Sequence, residues 1–269
     1  MLKKISSLII LFGGLLLAQS SDYEKDKLKN NPKLVEESFT KAVIRANIIE
    51  DYVQEFHTKK TYNQAGNITQ IESFGENGDL NYTEYYTYDD AKIIKIEAKN
   101  PNEDFVIIRD FEYNENGYVV TKSENDIVVQ QTTYVLNQDQ KIVSEKEVNF
   151  LDENLVSERV NEYANNQLNK TEVKYNNGGY TVNFKYNTEN LPVEETVVDL
   201  NKKLVSKKIR VYDQHQNITE ENNFDSFGKL KTNNRVKYEY DDKGNWIIRT
   251  QFANNLEQPI SNSKRTIRY

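Results

Sequence analysis

The chain has 269 residues, of which 37% are hydrophobic, 29% charged and 11% aromatic, a composition polar for a globular protein but too aromatic for a disordered one. It contains no cysteine and only two histidines, His57 and His215, which excludes thiol chemistry and argues against histidine metal sites and Ser-His-Asp triads. The net charge of -7 comes with no basic patch, so we expect no nucleic-acid partner.

Residues 1–20 follow the three-part plan of a secretory signal peptide. Lys3 and Lys4 precede an apolar stretch over residues 5–17, and Ala18-Gln19-Ser20 supplies a small-residue cleavage site. The stretch is shorter than the roughly 20 residues that a membrane-spanning helix needs. We therefore predict export to the periplasm, the cell surface or the medium, and no membrane span after signal cleavage. The alternative is a buried N-terminal helix.

The segment from residue 21 to residue 53 carries a helical pattern. Asn31 and Pro32 form a typical helix start, and Glu36 and Glu37 would lie in the first turn, near the positive end of the helix dipole. Apolar residues recur at steps of three and four, the amphipathic period. We predict one short helix, from about Pro32 to about Glu50, that caps one end of the remaining structure. The apolar stripe consists of Val35, Phe39, Ala42, Val43, Ala46, Ile49 and Val53.

Residues 54–269 change to a period of two, which is typical of half-buried antiparallel strands. Tyr180, Val182 and Phe184 alternate with polar residues, for example. In another segment Ile142, Val148 and Phe150 share one face, and the residues between them, Glu145, Glu147 and Asn149, form the polar face. No second helical pattern follows residue 60, so we predict a single β-hairpin repeat domain here.

A short phrase recurs between the strands: an aromatic residue, three turn residues, glycine, any residue and an apolar residue. The glycine position requires positive φ, and the aromatic and apolar residues can pair across the turn on one face of the sheet. We interpret the phrase as a structural turn motif. Its clearest copies contain Tyr62 and Gly66, Phe74 and Gly78, Tyr113 and Gly117, Tyr175 and Gly179, Phe224 and Gly228, and Tyr240 and Gly244 with Trp246.

The last copy, residues 240–246, resembles the tyrosine-aspartate (YD, or RHS) repeat of exported bacterial proteins. In that family such units form a long β-ribbon that winds into a shell, sometimes around a toxin domain. The arginine that usually follows the glycine is absent from every copy, and the spacing is irregular. The chain is also similar to MORN-like hairpin repeats. The predicted fold is all-β, an antiparallel hairpin repeat forming a long twisted or curled sheet with the N-terminal helix as cap.

The sequence gives no specific sign of a catalytic centre. Paired carboxylates such as Asp89-Asp90 and Asp241-Asp242 are abundant, and turn chemistry explains them. The calcium-loop pattern that starts at Glu112 has Ser123 where a bidentate glutamate belongs. We therefore assign no catalytic, cofactor-binding or metal-binding residue.

These features lead to three functional hypotheses. The first is an exported, non-enzymatic β-repeat protein that binds an envelope or extracellular polysaccharide or protein, with exposed aromatics such as Tyr85 on its binding surface. The second is a structural shell or spacer element of an envelope or toxin-related assembly. The third is a carbohydrate-active enzyme, which would need two well-placed carboxylates.

Overall fold

A computed structural model describes residues 26–45, 48–151, 155–254 and 256–269, and the predicted signal peptide lies outside these ranges. Within them the chain is all-β and antiparallel, and none of the described residues forms a helix that could cross a membrane. The strands are β1 (Leu34–Arg45), β2 (Ile48–Tyr62), β3 (Ile68–Phe74), β4 (Leu80–Asp89), β5 (Lys92–Lys99), β6 (Val106–Asn114), β7 (Gly117–Glu124), β8 (Ile127–Leu136), β9 (Ile142–Asn149), β10 (Leu155–Ala164), β11 (Gln167–Tyr175), β12 (Gly178–Tyr186), β13 (Pro192–Asp199), β14 (Leu204–Tyr212), β15 (Ile218–Phe224), β16 (Leu230–Tyr240), β17 (Trp246–Ala253) and β18 (Ser261–Arg268).

The 18 strands form one closed barrel. Each strand pairs with the next one along the chain, and β18 returns to pair with β1, where Leu34 lies opposite Arg268 and Lys41 opposite Ser261. The antiparallel hairpin repeat was therefore predicted correctly in outline, but the predicted long twisted or curled sheet is closed into a barrel. Closure removes the two open edges whose unpaired N–H and C=O groups would otherwise face solvent.

The predicted N-terminal helix is wrong, because its residues form β1 and the first part of β2. The pairing of β1 with β2 is interrupted after Phe39 and again after Val43. Each irregularity changes which residues of the strand face inward from that point on. The spacing of the inward-facing apolar residues therefore departs from two and resembles the steps of three and four of a helix. β-branched residues such as Val35 and Ile44 also favour a strand. Ala46, from the predicted stripe, lies outside the described residues.

Strand register divides the side chains into an inner and an outer face. The inner face contains most of the buried apolar residues of the described chain, among them Tyr62, Ile71, Phe111 and Tyr118, which pack in two clusters. These clusters lie on β1–β8 and β18, whereas on β9–β17 the only buried apolar side chains among the described residues are Val173 and Val236. The inner wall of the second half is therefore partly open to solvent.

The two ends of the barrel differ. Turns after even-numbered strands, together with residues 26–33, form what we call the tyrosine end; turns after odd-numbered strands form the far end. At the tyrosine end, a tyrosine near the end of one strand donates a hydrogen bond to a backbone carbonyl at the start of the strand before it. These pairs are Tyr88 with Ile68, Tyr113 with Ile93, Tyr163 with Ile142, Tyr186 with Leu168, Tyr212 with Pro192, and Tyr238 with Ile218.

Many of the described turns share one five-residue geometry. The first N–H donates to the fifth carbonyl and the fourth N–H to the first carbonyl, as in the turn from Asp225 to Lys229. The fourth residue has positive φ, +75° at Gly228, for example. Gly117 and Gly179 serve another purpose: a Cβ atom would lie 2.0 Å from the Tyr134 carbonyl oxygen at the first and 2.4 Å from that of Val173 at the second. Close approach of the neighbouring strand requires glycine there.

Candidate functional site

The most distinctive group of polar and aromatic side chains lies on the inner face of β7–β10. We call it the inner-wall site and define it as Tyr118, Tyr134, Glu145, Glu147 and Arg159. The antiparallel register brings these residues together, because Tyr134 lies opposite both Tyr118 and Glu145, and Arg159 lies opposite Glu145. Side chains two residues apart on one strand share a face, which places Glu147 beside Glu145.

Aromatic rings form one side of the inner-wall site. The rings of Tyr118 and Tyr134 are stacked with centroids 4.6 Å apart, and the Tyr113 ring is 5.4 Å from that of Tyr118. Tyr118 is only 2% exposed, yet its hydroxyl has no hydrogen-bond partner among the described residues. Burial raises the pKa of Tyr118, and it raises the pKa of Tyr134 to about 12. Both phenols are therefore neutral hydrogen-bond donors near neutral pH.

The two carboxylates of the site have different surroundings. Arg159 donates from Nη1 to Glu145 Oε2 at 3.2 Å, forming an ion pair. Glu147 has no ion-pair partner within the described part of the chain. Burial raises the pKa of Glu147, and the neighbouring charge of Glu145 adds to this effect. The site thus offers one paired carboxylate and one carboxyl group that is more easily protonated.

Other charged groups of the inner face are paired with each other. Arg210 donates from Nη2 to Glu195 at 3.0 Å and from Nε to Glu221 at 3.2 Å. Arg265 donates to Glu37 at 2.8 Å. These bonds join neighbouring strands across the wall and leave few free acceptors, so we interpret these groups as structural. Glu147 differs from them because it has no ion-pair partner among the described residues and accepts only a side-chain hydrogen bond from Gln130, and the Tyr118 hydroxyl differs because it has no hydrogen-bond partner there.

The predicted turn-motif residues do not form one site, because they lie at both ends of the barrel. Tyr62, Tyr113 and Tyr240 with Trp246 lie at the tyrosine end, whereas Phe74, Tyr175 and Phe224 lie at the far end. The predicted cross-turn pairs occur as Tyr62 with Ile68, Phe74 with Leu80, Phe224 with Leu230, and Tyr240 with Trp246. Two copies differ: Tyr113 lies opposite Tyr118 rather than Val119, and Tyr175 lies opposite Gly178.

The outer face carries Tyr85, which is 46% exposed and lies opposite Gln70 and Glu97. Among the described residues no aromatic ring stacks on Tyr85, in contrast to the stacked rings of the inner wall. The sequence pattern placed Glu145 and Glu147 on the solvent side of β9, and this is wrong: both face inward, and Phe150 is exposed. Arg159 lies four residues before Tyr163, which is on the inner face, and the alternation of faces along a strand would have placed Arg159 on the inner face as well.

Comparisons with known proteins bear on the fold. No protein-family model and no curated sequence matches the chain, so the resemblance to tyrosine-aspartate repeats has no support from sequence comparison. Among solved structures, a porin-like protein from Bacteroides uniformis ATCC 8492 is 11% identical, covers 89% of this chain and 97% of its own, and has a TM-score of 0.50. This similarity supports the barrel fold.

Two further solved structures are less similar. A porin-like protein from Bacteroides vulgatus ATCC 8482 is 11% identical, covers 87% of this chain and 97% of its own, and has a TM-score of 0.40. The Photorhabdus luminescens Tc holotoxin pore is 12% identical over 82% of this chain and 14% of its own, with a TM-score of 0.37. These values are too low to refine the fold or to indicate an activity.

Proposed function

We propose that the chain is an exported, non-enzymatic binding protein whose inner-wall site holds a segment of an envelope or extracellular polysaccharide. The observation that carries this proposal is the buried Tyr118 hydroxyl without a partner, beside a stacked tyrosine and two carboxylates. Sugar rings stack on aromatic faces, and their hydroxyl groups exchange hydrogen bonds with carboxylates and phenols. The wall of β9–β17 carries few buried apolar side chains among the described residues, so we expect a sugar chain to approach the site from that side.

The outer face supports the view that the barrel is surrounded by water. Lys170 Nζ on β11 lies 2.6 Å from Glu162 on β10 and 2.9 Å from Glu172 on β11. Glu194 on β13 is paired with lysines of both neighbouring strands. Barrels that face lipid carry an apolar band about 25 Å tall around their outer surface. Charged ladders there favour an aqueous compartment of the envelope or the exterior.

The test compares Glu147→Gln with a matched outer-face control, Glu158→Gln. The protein is applied to an array of bacterial and plant oligosaccharides, and retained glycans are titrated by calorimetry. We expect Glu147→Gln to weaken binding about tenfold, since a hydrogen bond to a charged group contributes about 1.5–3 kcal/mol, and Glu158→Gln to leave it unchanged. Absence of any retained glycan, or equal loss in both variants, would contradict the proposal and favour a structural shell or spacer role.

A second candidate function, glycoside hydrolysis, is favoured by the Glu145 and Glu147 pair. The two residues share the inner face of β9, and a pair of carboxyl groups is what glycoside hydrolysis requires. A raised pKa on one member suits a general acid. Release of reducing sugar by the wild type, abolished by Glu147→Gln while glycan binding persists, would establish the enzyme. Binding without turnover would leave the non-enzymatic proposal in place.

A further inference from the structure

The far end of the barrel carries exposed apolar side chains at its turns. Phe227 is 93% exposed and Leu200 is 66% exposed, each at the tip of a hairpin. The most exposed large apolar residues of the described chain all lie at this end: Ile48, Ile127, Leu151, Leu200 and Phe227. The tips of the tyrosine end are polar by comparison, so the two ends of the barrel present different chemistry to their surroundings.

The turn geometry does not require these apolar residues. In the turn from Asp225 to Lys229, the Asp225 carboxylate accepts the N–H groups of Phe227 and Lys229 at 2.9 and 3.0 Å. The turn from Asp241 to Asn245 forms the same bonds, with Lys243 at the position of Phe227. Leu200 likewise takes a position that is polar in the other turns of this geometry. The turns therefore do not need an apolar side chain at Phe227 or Leu200 in order to form.

Unpaired lysines surround these tips. The hairpins after β11, β13 and β15 are neighbours in the ring. Successive hairpins at one end of the barrel are two strands apart, so their tips are about 10 Å from each other. None of their lysines has an ion-pair partner among the described residues, and they outnumber Asp199 and Asp225, the acidic residues of these tips. The lysines are Lys174, Lys202, Lys203, Lys229 and Lys231. The tips after β3, β5 and β7 are mostly acidic instead, with Glu76, Asp79, Glu103, Asp104, Glu124 and Asp126.

A cavity adds space beside the same tips. It has a volume of about 530 Å³, and its lining includes Lys174, Leu200 and Lys202 together with the acidic residues Glu172 and Asp199. Glu172 is paired with Lys170, whereas Lys174 and Lys202 have no ion-pair partner among the described residues and are available to an anionic headgroup, with the apolar Leu200 beside them. The cavity and the apolar tips thus occupy the same sector of the barrel.

We propose that the tips after β11, β13 and β15, which we call the docking tips, attach the barrel to the surface of an anionic lipid bilayer. Phe227 and Leu200 would enter the interfacial layer, and the lysines would contact lipid phosphates. Apolar insertion combined with basic residues is the pairing of forces by which peripheral proteins hold a membrane surface. This inference is independent of the inner-wall site, because the two sets of residues do not overlap.

The test uses residues 21–269, which retain every described strand and lack the apolar stretch at residues 5–17. Co-sedimentation is measured with vesicles of equimolar phosphatidylcholine and phosphatidylglycerol, and with vesicles of phosphatidylcholine alone. We expect binding to the anionic vesicles, weakened about tenfold by Phe227→Ser, which removes one buried aromatic ring. Lys203→Glu should weaken binding about tenfold as well, and its matched control Lys264→Glu, an exposed lysine of the β18 strand, should not.

Circular dichroism melting of each variant checks that the fold is retained, which we expect because polar residues occupy the equivalent positions of other turns. Equal sedimentation of wild type and Phe227→Ser would overturn the proposal, and so would equal losses in Lys203→Glu and Lys264→Glu. Sedimentation velocity without vesicles addresses another occupant of the tips. Self-association that Phe227→Ser abolishes, in a protein that does not bind vesicles, would assign the docking tips to a second copy of the chain.

Discussion

The side-chain amide of Asn245 holds both backbone groups of Lys29, a residue 216 positions away in the sequence. Its Oδ1 accepts the Lys29 N–H at 2.7 Å, and its Nδ2 donates to the Lys29 carbonyl at 3.1 Å. The same amide donates to the hydroxyl of Tyr269 at 2.8 Å, and Asn245 is only 2% exposed. These bonds fasten the segment before β1 to the turn between β16 and β17 and to Tyr269, beside the β1–β18 seam.

Replacing Asn245 should therefore weaken the closed barrel. Asn245→Ala removes the buried amide that bonds both backbone groups of Lys29 and the Tyr269 hydroxyl, and we expect a loss of about 2–4 kcal/mol in the free energy of unfolding. Asn217→Ala is the matched control, because Asn217 has the same position in the preceding five-residue turn of the tyrosine end, residues 213–217, but bonds only the Tyr240 hydroxyl from its amide. Urea denaturation should give a loss of about 1 kcal/mol for the control. Equal losses would contradict the role of Asn245 at the seam.

Alanine at two different glycine positions should change the stability of the protein by very different amounts. At Gly117 a Cβ atom would meet the Tyr134 carbonyl oxygen at 2.0 Å, and we expect Gly117→Ala to cost more than about 3 kcal/mol or to prevent folding. At Gly178 nothing lies within 4 Å of a Cβ atom, so Gly178→Ala should change stability by less than about 0.5 kcal/mol. Thermal melting of both variants measures the contrast, which would vanish if β7 and β8 did not pack as described.

The raised pKa of Glu147 predicts how stability depends on pH. A carboxyl group whose pKa is higher in the folded state than in the unfolded state binds protons more tightly when folded, so it lowers stability as pH rises through that window. Glu147→Gln removes this penalty and should stabilise the protein at neutral pH. Well below the ordinary glutamate pKa of 4.5, where the carboxyl group is protonated in both states, the gain should disappear. A gain that is constant with pH would indicate another cause.

Adjacent tyrosines of β4 test the division into two faces. Tyr86 faces inward and packs against both apolar clusters, so Tyr86→Ala should cost about 3–5 kcal/mol. Tyr85 faces outward, and Tyr85→Ala should stay within about 0.5 kcal/mol of the wild type. Chemical denaturation of the two variants decides the point, and a reversed order would invert the assignment of inner and outer faces.

Local features of the fold could be predicted from the sequence, because they depend on neighbouring residues. Positive φ at Gly66, Gly78, Gly228 and Gly244 follows from turn chemistry within five residues. Closure of the ring could not be predicted, since the pairing of Leu34 with Arg268 joins opposite ends of the chain. No local pattern specifies a contact of that separation.

The faces of β9 were predicted in reverse for a physical reason. Alternation of apolar and polar residues identifies the buried face only where one face is dry. The inner wall of β9–β17 is partly exposed, so polar groups such as Glu145 and Glu147 can line it, while Val148 occupies the outer face. The inner-wall site was missed because its residues share a wall only after the register of four strands is known.

The inner wall and the proposed ligand site exist only if β1 and β18 pair and close the ring. The pairing of these two strands is therefore the feature to test most directly. The chain has no cysteine, so an introduced pair of cysteines has no native thiol to react with. Ser38→Cys with Lys264→Cys lies directly across the seam, and Lys146→Cys with Glu158→Cys lies directly across the β9–β10 pair as a control. Cα atoms of such opposed residues are about 4.5–5.5 Å apart, within the reach of a disulfide.

The decisive measurement is mass spectrometry of the two oxidised double variants after proteolysis. We expect the seam pair to form an intramolecular disulfide as completely as the control pair, linking a peptide from β1 to a peptide from β18. A control pair that oxidises fully while the seam pair remains reduced would show that the sheet is open between β1 and β18.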